Sequence, residues 1–502
     1  MIQSSRGASA DLLPKLVNIA GYTLAFGLVL LWTTLVQHLI YGGFSLGDCQ
    51  PSLPAAACDA LVSSAGWRWA FVALLPLAWF FATGWNADNA NASSLHNMYA
   101  ARLARAYLGA ANPERFGGED ALQASAADTS PEALSDVTAV DESDDVPLRA
   151  HRPAEQGGPI HLINVCLNQT RGHQTRLYNA DRKGVPMVLS GYGIDVGHKP
   201  LPTDTLDDIG GLARWVGISG AAASPGAGVN TTPGWAALLF LAGARLGYWL
   251  NLGDAWTALE RGVAARAPHW WERRFAKMLR LYAEFRAAYV GPLAPDWYLS
   301  DGGHFDNTGV HPLLQRQLDL IVLADCGADP KFEFADLENL VRKARIDYGA
   351  EIEFYRADDA NRRFGPPAGD EAGARLVYLS PQELVDNHTA RGVLLARILY
   401  RADAQGRRRE GTLLVFKPNL HALLDVDILA YARRRRDFPQ QGTGDQFFDE
   451  AQWESYHRLG EDFGSELSPA MLERLPGWSR AVLLAPDRQS RIATSSLSKP
   501  HE

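Results

Sequence analysis

The sequence has few cysteines and no surplus of positive charge, and each absence excludes a class of protein. Four cysteines stand among 502 residues, at spacings that fit neither a zinc site nor a dense disulfide framework. The formal net charge is −9, so no basic excess exists to neutralise a phosphate backbone, and nucleic acid is not expected as a partner. Thirteen histidines are scattered without triad or metal spacing, and neither a metal nor another cofactor is expected.

The cysteines differ in their surroundings. Cys166 and Cys326 stand in apolar runs and are predicted to be small buried residues. Cys49 and Cys58 share one predicted loop, where they could pair if that loop faces an oxidising compartment.

Most of the negative charge is concentrated in one stretch. Residues 117–156 contain ten Asp or Glu against two Arg, a net charge of −8, and no aromatic residue. Such a composition cannot bury enough apolar surface to fold alone, so 117–156 is predicted to be a disordered acidic linker. The rest of the chain is nearly neutral, and a hydrophobic content of 47% can supply a large core.

Two apolar runs predict a membrane anchor in residues 1–90. Residues 16–41 carry no formal charge and exceed the roughly 20 residues that cross a bilayer core. This run is also longer than the apolar region of a cleaved signal peptide, which is the alternative. Residues 67–85 form a shorter, tryptophan-rich run, and together the two runs predict a transmembrane hairpin. Because the loop 42–66 lacks Lys and Arg whereas both outer flanks are basic, the following body is predicted to be cytoplasmic.

The predicted loop contains a literal Gly-x-Ser-x-Gly sequence, Gly43-Phe44-Ser45-Leu46-Gly47. This motif exposes a nucleophile only on a strand-turn-helix elbow above a sheet. Here it follows a predicted membrane helix and lies across the predicted bilayer from the body. We therefore interpret it as coincidental.

The remaining chain predicts an α/β body at 157–480, with a juxtamembrane helix at 91–116 before it and a flexible tail at 481–502 after it. Two apolar runs, 393–400 and 412–417, predict an antiparallel hairpin added at a sheet edge. Other short apolar runs predict strands of a largely parallel sheet, at 160–167, 186–189, 215–218 and 318–324.

Two further segments predict helices. Residues 268–289 place apolar side chains at helical spacing and Arg or Lys opposite them, which is the pattern of a basic amphipathic helix at a lipid interface. A surface helix that packs its apolar stripe on the protein core is the alternative, and it is somewhat more common. Residues 235–252 predict a buried or membrane-touching helix, because Arg245 makes a third span costly.

The most informative motif is Ser300-Asp301-Gly302-Gly303-His304, after a predicted strand. Two glycines let backbone approach a carboxylate closely, as a general base that must reach a hydroxyl requires. Ordinary turns also use Asp-Gly-Gly, but here a second strand, 318–324, follows and leads into the segment 325–330.

These segments resemble the Asp-Gly-Gly block of the patatin-like and cytosolic phospholipase A2-like acyl hydrolases, in particular a group of large bacterial membrane-associated members. In that family a glycine-rich oxyanion loop and the nucleophile elbow precede all of these blocks, whereas this chain opens with a membrane segment. The chain therefore resembles the C-terminal half of such a protein, without the usual elbow. Further segments resemble blocks of the same group, at 94–110, 160–165, 218–225, 438–439, 443–448 and 454–456.

The resemblance implies a patatin-like α/β fold and hydrolysis of acyl esters in membrane phospholipids or lysophospholipids by a Ser-Asp dyad. Asp301 would take the serine proton directly, without a histidine. Gly302 and Gly303 would permit its close approach, and His304 and Asn307 would support the site through hydrogen bonds.

Ser219 is the candidate nucleophile within the chain. The sequence Gly-Ile-Ser-Gly-Ala around it follows an apolar run and resembles Gly-Leu-Ser-Gly-Ser of the cytosolic phospholipases. Against this interpretation, the continuation resembles a patatin block in which the serine is structural, and Pro225 interrupts the helix that an elbow needs. Gly210 and Gly211 are candidate oxyanion donors.

Three functions are compatible with these observations. The preferred prediction is a lipid acyl hydrolase of the bacterial inner membrane, in which this chain supplies Asp301 and a partner subunit supplies the nucleophile elbow. A self-contained esterase using Ser219 is the second. A catalytically inactive lipid-binding or scaffold protein is the third.

Overall fold

The computed structural model describes most of the chain. The described residues are 4–41, 55–109, 112, 142–172, 182–201, 209–253, 255–256, 259, 269–365, 377–386, 392–421, 424–442, 448–465 and 469–478. The predicted tail at 481–502, the serine motif at 43–47 and the cysteine at position 49 lie outside them.

The protein is mixed α/β and is divided into two compact units. The first comprises Met1–Arg152 and His161–Phe305, and the second comprises Pro153–Ile160 and Asp306–Glu502. The predicted body 157–480 is therefore divided after Phe305, and its first part folds together with the N-terminal helices.

Helices of the first unit are α1 to α9, in chain order. They span Ser4–Tyr41, Ala55–Thr83, Asn89–Ala92, His96–Leu103, Leu212–Ser219, Pro233–Leu241, Trp270–Arg274, Ala276–Phe285 and Gly303–Asp306, the last of which ends at the unit boundary. Helices of the second unit are α10 to α16. They span His311–Gln315, Ala335–Lys343, Ala357–Phe364, Pro381–Asp386, Val426–Arg434, Glu450–Ser465 and Pro469–Arg474. The predicted juxtamembrane helix corresponds to α4 and the π-helical turn Ala104–Leu108 that follows it.

The first unit contains a sheet of six described strands in the order β4-β3-β2-β1-β6-β5. Every described pairing in it is antiparallel, so the predicted parallel sheet is wrong here. Only two residues separate β2 from β3, and a connection this short cannot join parallel strands. The strands span Ile163–Asn168, Gly184–Ser190, Gly193–Val196, Lys199–Pro200, Tyr248–Leu250 and Trp297–Asp301 for β1 to β6.

The second unit contains a mixed sheet in the order β7-β11-β10-β8, with β9 beside β10. The predicted antiparallel hairpin is confirmed as β10 and β11, but it lies in the centre of this sheet and not at an edge. Its side chains are buried on both faces, which explains why both strands are continuously apolar. The strands span Leu320–Ala324, Glu351–Phe354, Val377–Leu379, Gly392–Leu399 and Glu410–Phe416 for β7 to β11.

Two predicted elements have a different secondary structure. The predicted strand 215–218 is part of helix α5, because Leu212, Trp215 and Ile218 bury one helical face at a spacing of three. The predicted helix 235–252 is helix α6, a turn and strand β5. Arg245 lies in the turn, buried, and its guanidinium forms an ion pair of 2.9 Å with Glu284.

The N-terminal helices α1 and α2 pack side by side, with Arg68 Nη1 donating to the Ile40 carbonyl oxygen at 3.2 Å. Within the described residues, one segment is long and apolar enough to cross a membrane, Ile19–Ile40, with a mean hydropathy of 1.8. The second predicted run belongs to α2, which begins earlier than predicted. Helix α1 also packs on α6, where a Cβ at Gly21 would lie 2.1 Å from the Gly234 carbonyl oxygen.

The predicted acidic linker is ordered in its last part. Its first residues, up to 141, lie outside the described chain, whereas 142–156 form short 3₁₀ turns. Leu148 of this segment is buried in the core of the first unit, a contact that the composition of the segment did not predict. The start of this ordered part is held by Asn112, whose Nδ2 donates to Ser143 Oγ at 3.0 Å.

Of the two cysteines predicted to be buried, Cys166 is buried and Cys326 is exposed. Cys326 follows the last residues of β7, where the apolar run has already ended.

Candidate active site

Asp301 is the last residue of β6, as its position after an apolar run predicts. Strand β6 lies between β1 and β5, and Asp301 is paired with Val165 of β1. Side chains alternate along the strand: Leu299 packs with Trp215 of α5 on one face, and Tyr298 packs in a separate cluster on the other. Asp301 therefore shares the face of Leu299.

The Asp301 carboxyl is largely buried and accepts one described hydrogen bond, from the Gly303 N–H to Oδ1 at 2.7 Å. Burial disfavours the charged form and raises the pKa of Asp301 to about 6, and the Gly303 hydrogen bond offsets this only in part. A carboxyl with this pKa is ionised at neutral pH and is a stronger base than an ordinary aspartate.

Gly302 brings this turn into direct contact with β1 and α5. Its N–H donates to the Ser219 carbonyl oxygen at 3.1 Å. A Cβ at position 302 would lie 2.5 Å from the Asn164 carbonyl oxygen, so a side chain there would displace backbone. Gly302 is thus required by its close approach to the backbone of β1, whereas its role beside a general base stays a prediction.

Ser219 lies beside the Asp301 turn but does not bond to Asp301. It is the last residue of α5, and its hydroxyl donates to the Asn164 carbonyl oxygen at 2.8 Å. A nucleophile elbow places its serine between a strand and the start of a helix. Ser219 has neither that position nor a hydrogen bond from its hydroxyl to a base.

Gly210 and Gly211 lie at the opposite end of α5 from Ser219. Eight helical residues separate them from the end of the helix, which corresponds to about 12 Å at 1.5 Å per residue. The Asp145 carboxylate already occupies this end, since the Ala213 N–H donates to its Oδ1 at 2.8 Å. These glycines are not placed to stabilise an oxyanion at Ser219.

His304 and Asn307 make hydrogen bonds away from Asp301. His304 Nδ1 is hydrogen-bonded to Ser300 Oγ at 2.9 Å, and Ser300 Oγ accepts from Asn168 Nδ2 at 2.8 Å. Burial lowers the pKa of His304 to about 4, so it is neutral at physiological pH and serves to fix the strand end. Asn307 belongs to the second unit, where its Nδ2 donates to Asp336 Oδ2 at 2.8 Å.

Tyr99 of α4 is a neighbour of the site that sequence reasoning did not assign. A Cβ at Gly220 would lie 2.7 Å from the Tyr99 hydroxyl. Burial, with the nearby Asp301 charge as the next cause, raises the pKa of Tyr99 above its ordinary value, so the phenol remains a proton donor. The sequence signal for Tyr99 was its position in the segment 94–110, one of the segments that resemble the patatin-like group.

A cavity of about 480 Å³ lies on the other face of β6. Tyr298 and Asn168 contribute to its wall, whereas Asp301 does not. The remaining wall comes mainly from α7, α8, the segment 288–296, Trp249 of β5 and Trp85, which follows α2.

The site must be interpreted from its own geometry. No protein-family model, curated protein or solved structure matches the chain. Within the described residues, no group of three or more His, Cys, Asp or Glu side chains is arranged to hold a metal ion.

Proposed function

We propose that this protein is a membrane-associated lipid acyl hydrolase of patatin-like fold, in which Asp301 is the general base of a Ser-Asp dyad. The observation that carries the proposal is the Asp301 carboxyl itself. It ends an inner strand, burial raises its pKa to about 6, and the one described hydrogen bond to it runs from the Gly303 N–H to Oδ1. A base poised near ambient pH is what activation of a serine hydroxyl requires.

In the proposed reaction, the serine oxygen attacks the ester carbonyl carbon of a lipid while the Asp301 carboxylate takes the proton of the serine hydroxyl. The tetrahedral intermediate then expels the alcohol, which receives that proton, and an acyl-serine remains. Water attacks the acyl-serine with the same carboxylate as base. Neutral His304 takes no proton in either step.

The nucleophile is proposed to come from a partner subunit that carries an elbow and an oxyanion loop. Two observations on this chain support the partner. The Ser219 hydroxyl is engaged with the backbone of β1, and the Asp145 carboxylate occupies the helix end beside Gly211.

A self-contained esterase using Ser219 is the second candidate, and one contact favours it. The Gly302 N–H bonds to the Ser219 carbonyl oxygen at 3.1 Å, so the serine backbone is adjacent to the turn that holds the base. This function requires the hydroxyl to leave the Asn164 carbonyl oxygen and turn towards Asp301.

The substrate class is proposed to be phospholipids or lysophospholipids in the bacterial inner membrane. The support is the apolar segment Ile19–Ile40, most of which is exposed on the protein surface and is therefore not a core helix. With α2 as the second arm of a transmembrane hairpin, both outer ends and the body would face the cytoplasm.

The test uses full-length protein in lipid nanodiscs and a fluorophosphonate probe, which labels activated serines. The purified chain alone should remain unlabelled and should not hydrolyse lysophosphatidylcholine. The same chain isolated with its native co-purifying proteins should yield a labelled partner polypeptide. Asp301→Asn should abolish that labelling and the hydrolysis while the partner still co-purifies.

The matched control is Asp88→Asn, an exposed acid that should leave labelling unchanged. Labelling of the chain alone that disappears in Ser219→Ala would replace the partner mechanism with the self-contained one. Absence of labelling and hydrolysis in both preparations would contradict the hydrolase and leave a lipid-binding or scaffold protein.

A further inference from the structure

Helices α7 and α8 expose an apolar face to the surroundings of the protein. Trp270 is 76% exposed and Tyr282 is 59% exposed, and Trp271 and Leu279 are each exposed by more than two fifths. We call these four residues the aromatic face. Large apolar side chains exposed together are rare on soluble proteins and mark an interaction surface.

The charged residues of α8 lie on its inner side, where a helix packed on the core by its apolar stripe would place apolar residues. Arg280 Nη2 bonds to Asp296 Oδ1 at 2.7 Å, and Glu284 accepts from Trp249 Nε1 at 2.7 Å. Lys277 is also buried, and its ammonium bonds to Thr83 Oγ1. Because rotation of α8 would break these buried polar contacts, the outward orientation of the aromatic face is fixed.

The aromatic face is continuous with the end of α2. Phe275 lies between α7 and α8. Its ring centroid is 5.0 Å from that of Phe80 and 5.5 Å from that of Phe81. The Lys277 N–H donates to the Gly84 carbonyl oxygen at 3.0 Å. Next to this contact, α2 and the residues that directly follow it expose further large apolar side chains, namely Leu77, Trp79, Phe81 and Trp85.

We propose that the aromatic face and the end of α2 together lie in the interfacial layer of a lipid bilayer. Tryptophan and tyrosine concentrate at this depth because their rings are apolar and their N–H or O–H groups reach water. Arg273 of α7 and Arg286, which directly follows α8, are exposed and can contact lipid phosphates. Helix α1, which packs beside α2, contains the segment Ile19–Ile40. This segment is long and apolar enough to cross the bilayer.

This inference concerns attachment of the body and goes beyond the proposed function. It requires neither Asp301 nor a serine. A protein partner or a second copy of the chain covering the aromatic face is the competing occupant, and the experiment separates these from lipid.

The test places an environment-sensitive fluorophore on the full chain in nanodiscs. In a background with Cys49→Ser, Cys58→Ser and Cys326→Ser, the buried Cys166 stays unlabelled. The probe is attached at Tyr282→Cys or, as control, at Lys199→Cys. Lys199 is an exposed residue of β4, which lies at the opposite edge of the same sheet from β5, the strand that contacts α8 through Trp249.

Nanodiscs are made from phosphatidylcholine carrying bromine either near the headgroup or deep in the acyl chain. The label at position 282 should be quenched several-fold more by shallow than by deep bromine, and the label at position 199 by neither. Absence of quenching at 282 would overturn the proposal, as would equal quenching at both positions. A water-shielded label at 282 that bromine does not quench would assign the face to a protein partner.

Discussion

Replacing Asp301 with asparagine should stabilise the first unit at neutral pH. The asparagine Oδ1 can still accept the Gly303 N–H bond, so the turn keeps its hydrogen bond while the buried charge is removed. The pKa of Asp301 is raised by burial from 3.8 to about 6. This difference corresponds to at most about 3 kcal/mol of unfolding free energy, at about 1.4 kcal/mol per pKa unit.

The sign follows from the order of ionisation. Below the unfolded pKa of 3.8 both states bind the proton, and the wild-type protein has its full stability. As the pH rises to about 6 the unfolded chain ionises first, so stability falls, and above that the loss is complete. The Asp301→Asn variant lacks this loss, and its advantage over the wild-type protein should grow between these two pH values.

The assay is thermal unfolding of the full chain in detergent, followed by tryptophan fluorescence at about pH 4 and about pH 7.5. At roughly 2–4 °C per kcal/mol for large domains, the variant should gain up to roughly 10 °C at the higher pH relative to the lower. Asp88→Asn should show no such pH-dependent gain. An equal difference between wild type and Asp301→Asn at both pH values would refute the argument from burial.

Three further predictions follow from the same structure. The rates of hydrolysis and of fluorophosphonate labelling should rise as the pH passes about 6 and then level off, because Asp301 must be ionised to act as the base. Rates that do not change between about pH 5 and about pH 8 would exclude Asp301 as the base. Deleting residues 117–141 should leave the melting temperature nearly unchanged, whereas deleting 117–156 should lower it, since the second deletion removes a buried leucine and a helix-capping carboxylate. Gly302→Ala should cost roughly 1–3 kcal/mol in a melting experiment because its Cβ meets backbone, whereas Gly460→Ala, in a helix with open space around it, should be neutral or stabilising.

The sequence predicted elements whose evidence is local. The aspartate after an apolar run ends a strand, and the hairpin of β10 and β11 has the predicted pairing. Strand direction depends on the connections between strands, and the apolar runs that predict the strands carry no information on direction. The two-residue link between β2 and β3 permits only antiparallel pairing. The run 215–218 was too short to distinguish a buried strand from a buried helix.

The surroundings of the candidate site could not be predicted, because its contacts join residues far apart in the sequence. The Asn164 carbonyl oxygen accepts the hydrogen bond of the Ser219 hydroxyl, and Tyr99 lies next to Gly220. The sequence left the orientation of α8 open for a related reason. Periodicity identifies two faces of a helix, but buried partners such as Asp296 decide that the charged face turns inward.

The contact between Asn112 and Ser143 joins two residues that lie 31 positions apart in the sequence. Asn112 Nδ2 also bonds to Asp144 Oδ1 at 3.2 Å, so side chains hold the two ends of this interval together in addition to the covalent chain. A single protease cut between the two ends would break only the covalent link. Both ends should therefore remain in the first unit, as a nicked but folded protein.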